Sequence, residues 1–393
     1  RYLDGEELRS RFEGLSDDIK GAGRYTDSLT DDARLVLRVL TEAIRAGGSA
    51  LNYVRATRLL IDSGELSGVT VENAVDGDSL ELRAPVVINA TGAWADRLRN
   101  QVNPEKRVRP LRGSHLVIPA RRLAVTGVLS LLHPQDKRPV YAFPWQGATV
   151  LGTTDLDHQH DLDVEASISN AEVEYLLDAA AAMFPNLQLS RADVISTWAG
   201  VRPVIGTERS KDPSKERRDH AVWSDRGLIS VSGGKLTTFR LIALDALEAA
   251  RPRLPAPRGD ADDRVFAATE LTAEQVAPED PALGYRLLGR YGDAARKLLA
   301  DSPPEERQRI DGTLYCLAEC RWAARHEAVQ HLDDLLLRRT RLGLLLKDGG
   351  DQLFDALRKI CFEELGWDES RWETELDRYR ELVRRHYALP EDG

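Results

Sequence analysis

The chain has 393 residues, of which 42% are hydrophobic and 30% charged, and its formal net charge is −10. These values are ordinary for a globular protein of two or three domains, and the acidic balance argues against a nucleic-acid partner. No apolar run approaches the roughly 18 residues that a membrane-spanning helix requires. The three cysteines are odd in number and sparse, so we expect small buried side chains rather than a disulfide framework or a metal site.

The first hundred residues alternate between helical and extended patterns. Apolar residues at helical spacing predict a helix between Thr30 and Gly48, and a strand is expected from Ser49 to Ala56. A hairpin is predicted around Asp76-Gly77. The apolar run Pro85–Asn89 stops at a Thr-Gly turn, which is typical of a parallel strand buried on both faces. Strand, glycine turn and helix together predict an α/β unit.

The rest of the chain changes character twice. Short strands separated by Pro, Gly and charged turns favour an antiparallel sheet between residues 108 and 155, and a helix is predicted from Ser169 to Phe184. A charged loop is expected at residues 209–220, and the proline-rich Arg251–Arg258 predicts a linker before a mostly helical end. We therefore predict an α/β domain at residues 1–104 and 201–253, an inserted antiparallel substrate-binding domain at residues 105–200, and an all-helical domain at residues 254–393.

Two glycine turns are candidates for ligand binding. Gly233-Gly234-Lys235 follows a strand and precedes a helix, so close backbone approach, a helix N-terminus and a lysine charge meet at one point. Such a turn suits an anion or a reduced flavin ring, although a plain strand-to-helix connection has the same pattern. The turn Asn89–Trp94 lies at the carboxyl end of a predicted parallel strand, where α/β sheets bind ligands, but many strands end in Thr-Gly without one.

Four further segments carry groups suited to an anionic substrate or to proton transfer. Arg202 lies between a glycine and a proline and can bind carboxylate or phosphate, unless it is a surface residue of a turn. His115 precedes an apolar strand and can act as a general base, or be structural. Arg138 can bind phosphate or be solvated. The turn Gly152–Asp155 suits hydrogen bonds to a cofactor ring or a polyol, or is a simple strand end. His158 and His160 have no third ligand nearby, so no metal is expected.

These motifs occur in an order that resembles FAD-dependent glycerol-3-phosphate dehydrogenase. The segments are TDDARL, NATGAWAD, RGSHLVIP, FPWQGATVLGTTD, WAGVRP and SGGKLTTFR, and residues 319–343 resemble the helical cap of that family. The resemblance implies an FAD-binding doubly wound α/β fold with an inserted antiparallel substrate sheet and a C-terminal helical domain. It also implies oxidation of sn-glycerol 3-phosphate to dihydroxyacetone phosphate, with hydride passing to FAD and electrons to quinone.

The resemblance assigns roles residue by residue. Arg202 and Lys235 would hold the substrate and polarise the reacting oxygen, Arg138 would help bind phosphate, and His115 would lie near the reacting carbon. The resemblance leaves the proton acceptor open, and we expect His115 to fill that role. We also expect Thr154 to bind substrate. By the resemblance, the flavin would be lined by Thr91, Gly92, Gly233, Gly234, Leu236 and Thr237. We expect Trp94, Gly152 and Thr153 to contact it as well. The family implies a cytoplasmic enzyme, peripheral on the inner face of the cell membrane, and allows a homodimer.

One departure from the family pattern keeps alternatives open. The sequence contains no Gly-x-Gly-x-x-Gly turn, the motif that receives the pyrophosphate of FAD, so we expect the N-terminal segment of the family to be missing. A related flavin oxidoreductase acting on an amino or hydroxy acid would also need Arg202, but not a second basic group at Arg138. An inactive fragment that cannot hold FAD is the third hypothesis.

Overall fold

The computed structural model describes residues 1–206, 219–255 and 262–391. Its strands are β1 Tyr2–Asp4, β2 Gly21–Gly23, β3 Val54–Asp62, β4 Glu65–Asn73, β5 Ser79–Arg83, β6 Val87–Asn89, β7 Val108–Pro119, β8 Leu129–Leu132, β9 Pro139–Trp145, β10 Ala148–Gly152, β11 Leu156–Asp157, β12 Ser196–Ile205, β13 His220–Asp225 and β14 Leu228–Gly233. Its α-helices are α1 Gly5–Arg11, α2 Asp32–Arg45, α3 Ala95–Arg99, α4 Asn170–Met183, α5 Phe239–Ala250, α6 Ala273–Val276, α7 Pro281–Tyr291, α8 Ala294–Ala300, α9 Leu317–His326, α10 Leu342–Leu345, α11 Phe354–Leu365 and α12 Glu369–His386.

A six-stranded antiparallel sheet lies at the centre of the molecule. Its order is β11-β7-β10-β9-β8, and β12 pairs with β7 as well. Successive side chains of a strand point to opposite faces, so β7 contributes to two cores. Leu116 and Ile118 pack with α4, whereas Val117 packs with the C-terminal helices. The sheet is therefore covered on both faces, and the predicted antiparallel region is found.

Helix α4 covers one face of this sheet and begins with a capping box. Ser169 and Glu172 exchange hydrogen bonds with each other's backbone, which satisfies two of the free N–H groups at the helix start. Val173, Leu176 and Ala180 are fully buried against the sheet. The predicted helix Ser169–Phe184 thus agrees with the structure to within one residue at each end.

The structure differs from the predicted domain limits in two places. Leu3, Leu8 and Phe12 pack in the same core as α4, so the N-terminal residues join the antiparallel sheet rather than the α/β unit. The predicted limit after residue 200 falls inside β12, which pairs with β7 along ten residues. The predictions for residues 209–218 and 256–258 lie outside the described residues.

The α/β unit contains the parallel pair that the sequence predicted. Strand β14 forms a parallel pair with β6 and an antiparallel pair with β13. Burial of β6 on both faces was wrong, because β6 lies at the edge of this three-stranded sheet and Ile88 is 39% exposed. The predicted hairpin is β4–β5, whereas the strand expected at residues 49–56 begins only at Val54, after a turn in which Tyr53 has a φ of 58°.

Helix α2 faces the opposite way from what an apolar stripe suggests. Its polar side is buried, because Arg34 is 5% exposed and pairs with Glu327 of the helical domain at 2.8 Å. Its apolar side, Val36, Leu40 and Ile44, is exposed. Ion pairs rather than apolar packing therefore attach this helix to the C-terminal domain.

The C-terminal region is helical, as predicted, and includes a π-helix at Asp334–Arg339. Cys316, Cys320 and Cys361 are at most 1% exposed, which confirms that they are small buried side chains. Among the described residues, no helix combines the length and the hydropathy needed to cross a bilayer.

Candidate functional site

Strands β7 and β12 share a face on which two glycines lie opposite each other between His115 and Arg202. Their register places His115 opposite Trp198 and Gly113 opposite Gly200. Directly opposed residues of an antiparallel pair share a face, so all four lie on the side that faces the C-terminal helices. The imidazole of His115 stacks on the Trp198 ring at a centroid distance of 3.8 Å and an interplanar angle of 7°. A Cβ at Gly200 would meet no atom within 4 Å, so the backbone here forms an open floor.

Arg202 lies at one end of this floor and is held from two sides. A Cβ at Gly113 would lie 2.3 Å from both terminal nitrogens of Arg202, so the guanidinium rests directly on this glycine. Its Nη2 donates to the Thr153 hydroxyl at 3.1 Å, and its Nη1 pairs with an Asp155 carboxylate oxygen at 3.4 Å. The side chain is still 33% exposed. A positioned, accessible guanidinium is suited to binding an anion.

His115 lies at the other end of the floor as a neutral imidazole. A Cβ at Gly152 would lie 2.2 Å from the His115 ring, so this second glycine is required for the ring to fit. The His115 Nδ1 is buried and has no hydrogen-bond partner. Burial and the nearby Arg202 charge lower the pKa of His115 to about 3, so the ring is unprotonated at neutral pH and can accept a proton.

The loop after β10 brings a second arginine to the same place but directs Thr154 away from it. Arg138 donates from Nη1 to the Asp155 carbonyl at 2.9 Å, beside the carboxylate that pairs with Arg202. Thr154 is buried, and its hydroxyl donates to Glu172 at 2.7 Å and accepts from the Ser114 N–H. The assignment of Thr154 to substrate binding is therefore wrong, because its hydroxyl is used on the far side of the sheet.

The two glycine turns lie next to each other at the carboxyl end of the parallel pair. β6 and β14 run in the same direction, so the turn at Gly92 and the turn at Gly233-Gly234 emerge from one sheet edge. These glycines have φ values of 60°, 77° and 83°, which side chains rarely adopt. A Cβ at Gly233 would lie 2.9 Å from Ile205 of β12, so this turn also adjoins the antiparallel sheet.

The residues around these turns fit the ring side of a flavin. Trp94 and Leu236 are 40% and 42% exposed, and Lys235 is exposed on the same loop as Leu236. Ser232, at the end of β14, has a buried hydroxyl without a partner. A flat heteroaromatic ring needs apolar surface, and the exposed Trp94 and Leu236 supply it on the two turns. The sequence-predicted flavin residues therefore lie on these two turns, apart from Gly152, which adjoins His115, and Thr153, which contacts Arg202.

Two residues of the site were missed by sequence reasoning. Trp198 belongs to the segment WAGVRP, and nothing in that local pattern indicates that His115 stacks on its ring. Glu172 follows Ser169 by three residues, and this spacing signals a helix cap rather than a site. In the part of the chain that the structure describes, no cluster of His, Cys, Asp or Glu can hold a metal ion, and His158 and His160 only pack edge to face.

The chain is similar in sequence and in fold to several known glycerol-3-phosphate dehydrogenases. The crystal structure of glycerol-3-phosphate dehydrogenase from Bacillus halodurans, complexed with FAD, superimposes with a TM-score of 0.83 at 25% identity, covering 100% of this chain and 80% of that one. Glycerol-3-phosphate dehydrogenase 2 of Mycobacterium tuberculosis H37Rv is 32% identical over 92% of this chain and 64% of its own length. The aerobic glycerol-3-phosphate dehydrogenase of Staphylococcus haemolyticus is 30% identical over 82% of this chain. The chain spans 62% of the length of that staphylococcal protein.

Two family models together cover most of the sequence. Residues 264–372 match the C-terminal domain of alpha-glycerophosphate oxidase, and residues 1–240 match FAD dependent oxidoreductase. With the structural match, they confirm the predicted fold class of an FAD-binding α/β fold, an inserted sheet and a helical C-terminal domain. FAD is the cofactor of this family. The chain belongs to the FAD dependent oxidoreductases.

Proposed function

We propose that the chain oxidises sn-glycerol 3-phosphate to dihydroxyacetone phosphate with FAD as the hydride acceptor. The observation that carries the proposal is the Arg202 guanidinium, fixed over Gly113 beside a neutral His115. An anion-binding group and an unprotonated base on one open floor are what an anionic alcohol needs in order to be bound and deprotonated. The names of the similar proteins support this substrate.

The two arginines favour a phosphate over a carboxylate. Arg138 and Arg202 both contact Asp155, so two guanidinium groups meet at one loop. A phosphate dianion has charge and oxygen atoms for both, whereas a carboxylate satisfies one. Lys235, exposed on the neighbouring turn, adds a third positive group on the flavin side. We assign Arg138 and Arg202 to the phosphate and Lys235 to the reacting oxygen.

His115 is the proposed proton acceptor from the C2 hydroxyl. Its pKa is lowered to about 3 partly by the positive charge of Arg202. A bound anion offsets that charge, so substrate binding itself raises the pKa of His115 and makes the ring a better base. Stacking on the Trp198 ring fixes the imidazole plane before the substrate binds. His115 is thus a weak base in the empty site and becomes a stronger base when the substrate binds.

Flavin binding is assigned to the two converging turns. Thr91, Gly92 and Trp94 would contact the ring from one side, and Gly233 to Thr237 would contact it from the other. The flavin, when bound, accepts the hydride from C2 of the substrate. The chain's own residues supply the apolar surface, the backbone N–H groups and the lysine charge around it.

The test is reduction of bound flavin under anaerobic conditions. The protein is reconstituted with FAD, and the flavin spectrum is followed as glycerol 3-phosphate, glycine or sarcosine is added. We expect glycerol 3-phosphate alone to bleach the flavin, and Arg202→Gln to abolish the bleaching at the same FAD occupancy. Bleaching by the amine substrates alone would favour an amino-acid oxidoreductase instead, and a preparation that retains no flavin would favour an inactive fragment.

The electron acceptor and the cellular location are proposals that rest on the family resemblance. We propose quinone as the acceptor, a peripheral position on the inner face of the cell membrane, and a homodimer. Rates with a soluble quinone against rates with oxygen test the acceptor, flotation with vesicles of acidic phospholipid tests the membrane contact, and sedimentation tests the dimer.

A further inference from the structure

Glu172 is a buried carboxylate on the face of the sheet opposite to the proposed substrate. It is 2% exposed and lies in the first turn of α4. One of its oxygens accepts from the Ser114 and Thr154 hydroxyls at 2.8 and 2.7 Å. The other accepts from Arg112 at 2.5 Å and from the N–H and hydroxyl of Ser169 at 3.0 and 2.8 Å. A helix cap needs only the Ser169 bonds, so the remaining three have another purpose.

The three additional donors come from the two segments that carry the site. Arg112 and Ser114 alternate along β7 with Gly113 and His115, whose side of the strand faces the floor. Thr154 lies between Thr153 and Asp155, the two residues that contact the Arg202 guanidinium. Arg112 and Ser114 are therefore chain neighbours of Gly113 or His115. Thr154 is the chain neighbour of the two residues that contact Arg202.

The loop after β10 is paired with β7 at both ends, through Gly152 opposite His115 and Leu156 opposite Arg112. Between these two pairs, the Thr154 N–H reaches the Ser114 carbonyl at only 3.4 Å. The Thr154 hydroxyl, by contrast, accepts a hydrogen bond from the Ser114 N–H at 2.9 Å and donates one to Glu172 at 2.7 Å. Burial raises the pKa of Glu172, but hydrogen bonds from Thr154, Ser114 and Ser169 outweigh this and leave the pKa lowered, so the carboxylate stays charged and a strong acceptor.

We infer that Glu172 is a positioning residue of the anion site: through Thr154 and Ser114 it sets the distance between the 153–155 loop and β7, and so fixes the Arg202 guanidinium beside His115. The inference rests on the proposed function in its choice of substrate, but its geometry holds for any anion that Arg202 binds.

Two variants separate this role from helix capping. Thr154→Val keeps the volume and the complete capping box but breaks the bond between Glu172 and the loop. Glu172→Gln keeps a residue that caps helices well but leaves an NH₂ group facing the donors of Arg112 and Ser169. Glu174→Gln is the matched control, because Glu174 lies on the same helix, is exposed and pairs only at the surface with Arg191.

The first measurement is anion affinity by calorimetry, with glycerol 3-phosphate and glycine titrated separately. We expect Thr154→Val and Glu172→Gln to raise the Kd of the anion that binds in an Arg202-dependent manner by about tenfold, with a larger effect on KM than on kcat in the FAD-loaded protein. Glu174→Gln should change neither value. If glycine binds and glycerol 3-phosphate does not, the proposed function fails while this inference is still tested; an unchanged Kd in both variants overturns the inference.

The second measurement needs neither ligand nor flavin. The imidazole C–H signals of His115 are displaced by the Trp198 ring on which it stacks, and NMR of histidine-labelled protein reports that stacking. We expect both variants, but not Glu174→Gln, to move the His115 signals while the other histidines keep theirs. A spectrum identical to the wild type would overturn the inference even if no anion bound at all.

Discussion

Replacing Gly113 with alanine displaces the Arg202 guanidinium without removing its charge. The added Cβ would lie 2.3 Å from Nη1 and Nη2 and 2.6 Å from Cζ. Non-bonded heavy atoms prefer about 3.5 Å, so the guanidinium must retreat by roughly 1 Å. Gly113 is in an ordinary strand conformation, and the atoms in the way are the far end of a flexible side chain, so the fold tolerates the methyl group.

The displacement should be visible as a loss of substrate affinity. A misplacement of about 1 Å in a positioning group can cost about 100-fold, equivalent to roughly 2.7 kcal/mol. We expect Gly113→Ala to raise the Kd of glycerol 3-phosphate, measured by calorimetry, between about 10- and 100-fold. Urea unfolding should change little.

A second glycine serves as the control for this measurement. A Cβ at Gly127 would meet no atom within 4 Å, and its backbone is not left-handed, so Gly127→Ala should leave the Kd unchanged. If Gly113→Ala binds glycerol 3-phosphate within about twofold of the wild type while remaining folded, Arg202 is not the anion-binding group and the proposed site is wrong.

Three further outcomes follow from the same geometry. His115→Asn should lower the rate of flavin reduction by roughly 10²- to 10⁴-fold with little change in substrate Kd, as expected for a lost general base; equal losses in Kd and rate would argue for a binding role. Folding lowers the pKa of His115 from 6.5 to about 3, so the unfolded chain binds one more proton than the folded chain between these pH values, and stability is lost as the pH falls. From this residue, urea unfolding at pH 5 should show about 2 kcal/mol less stability than at pH 8. The substitution His115→Gln should remove this difference. Glu327→Gln breaks the buried pair with Arg34 and should reduce the free energy of unfolding by about 3 kcal/mol, whereas the exposed Glu381→Gln should cost under about 1 kcal/mol.

The candidate ligand-binding segments could be proposed from the sequence because each is a local pattern. The strand and helix that flank Gly233 are where the sequence predicts them, and this pattern suggests a ligand-binding turn with no knowledge of its neighbours. The pairing of Gly113 with Gly200 could not be found in this way. These residues are 87 positions apart in the chain, and register between such distant strands is set by the packing of both faces. The floor of the site exists only through that register.

Two errors have the same physical origin. Thr154 was assigned to substrate because hydroxyls in a glycine turn suit a polyol, but the orientation of a side chain on a loop depends on which partner is buried beneath it. Here that partner is Glu172. Likewise, the apolar run at β6 predicted burial on both faces, whereas the described neighbours cover it only in part. A local sequence pattern predicts the type of element that a segment forms. Its burial and the orientation of its side chains depend on tertiary contacts.

The backbone floor also determines how the proposed site can be altered. Glycines at 113, 152 and 200 leave no side chain there to exchange, and at two of them any added atom strikes Arg202 or His115. A designer who wants a larger or differently charged substrate must therefore leave the floor intact and change the walls. Trp198 is the place to begin, because it lies on this face against His115 and is not one of the groups assigned to the anion.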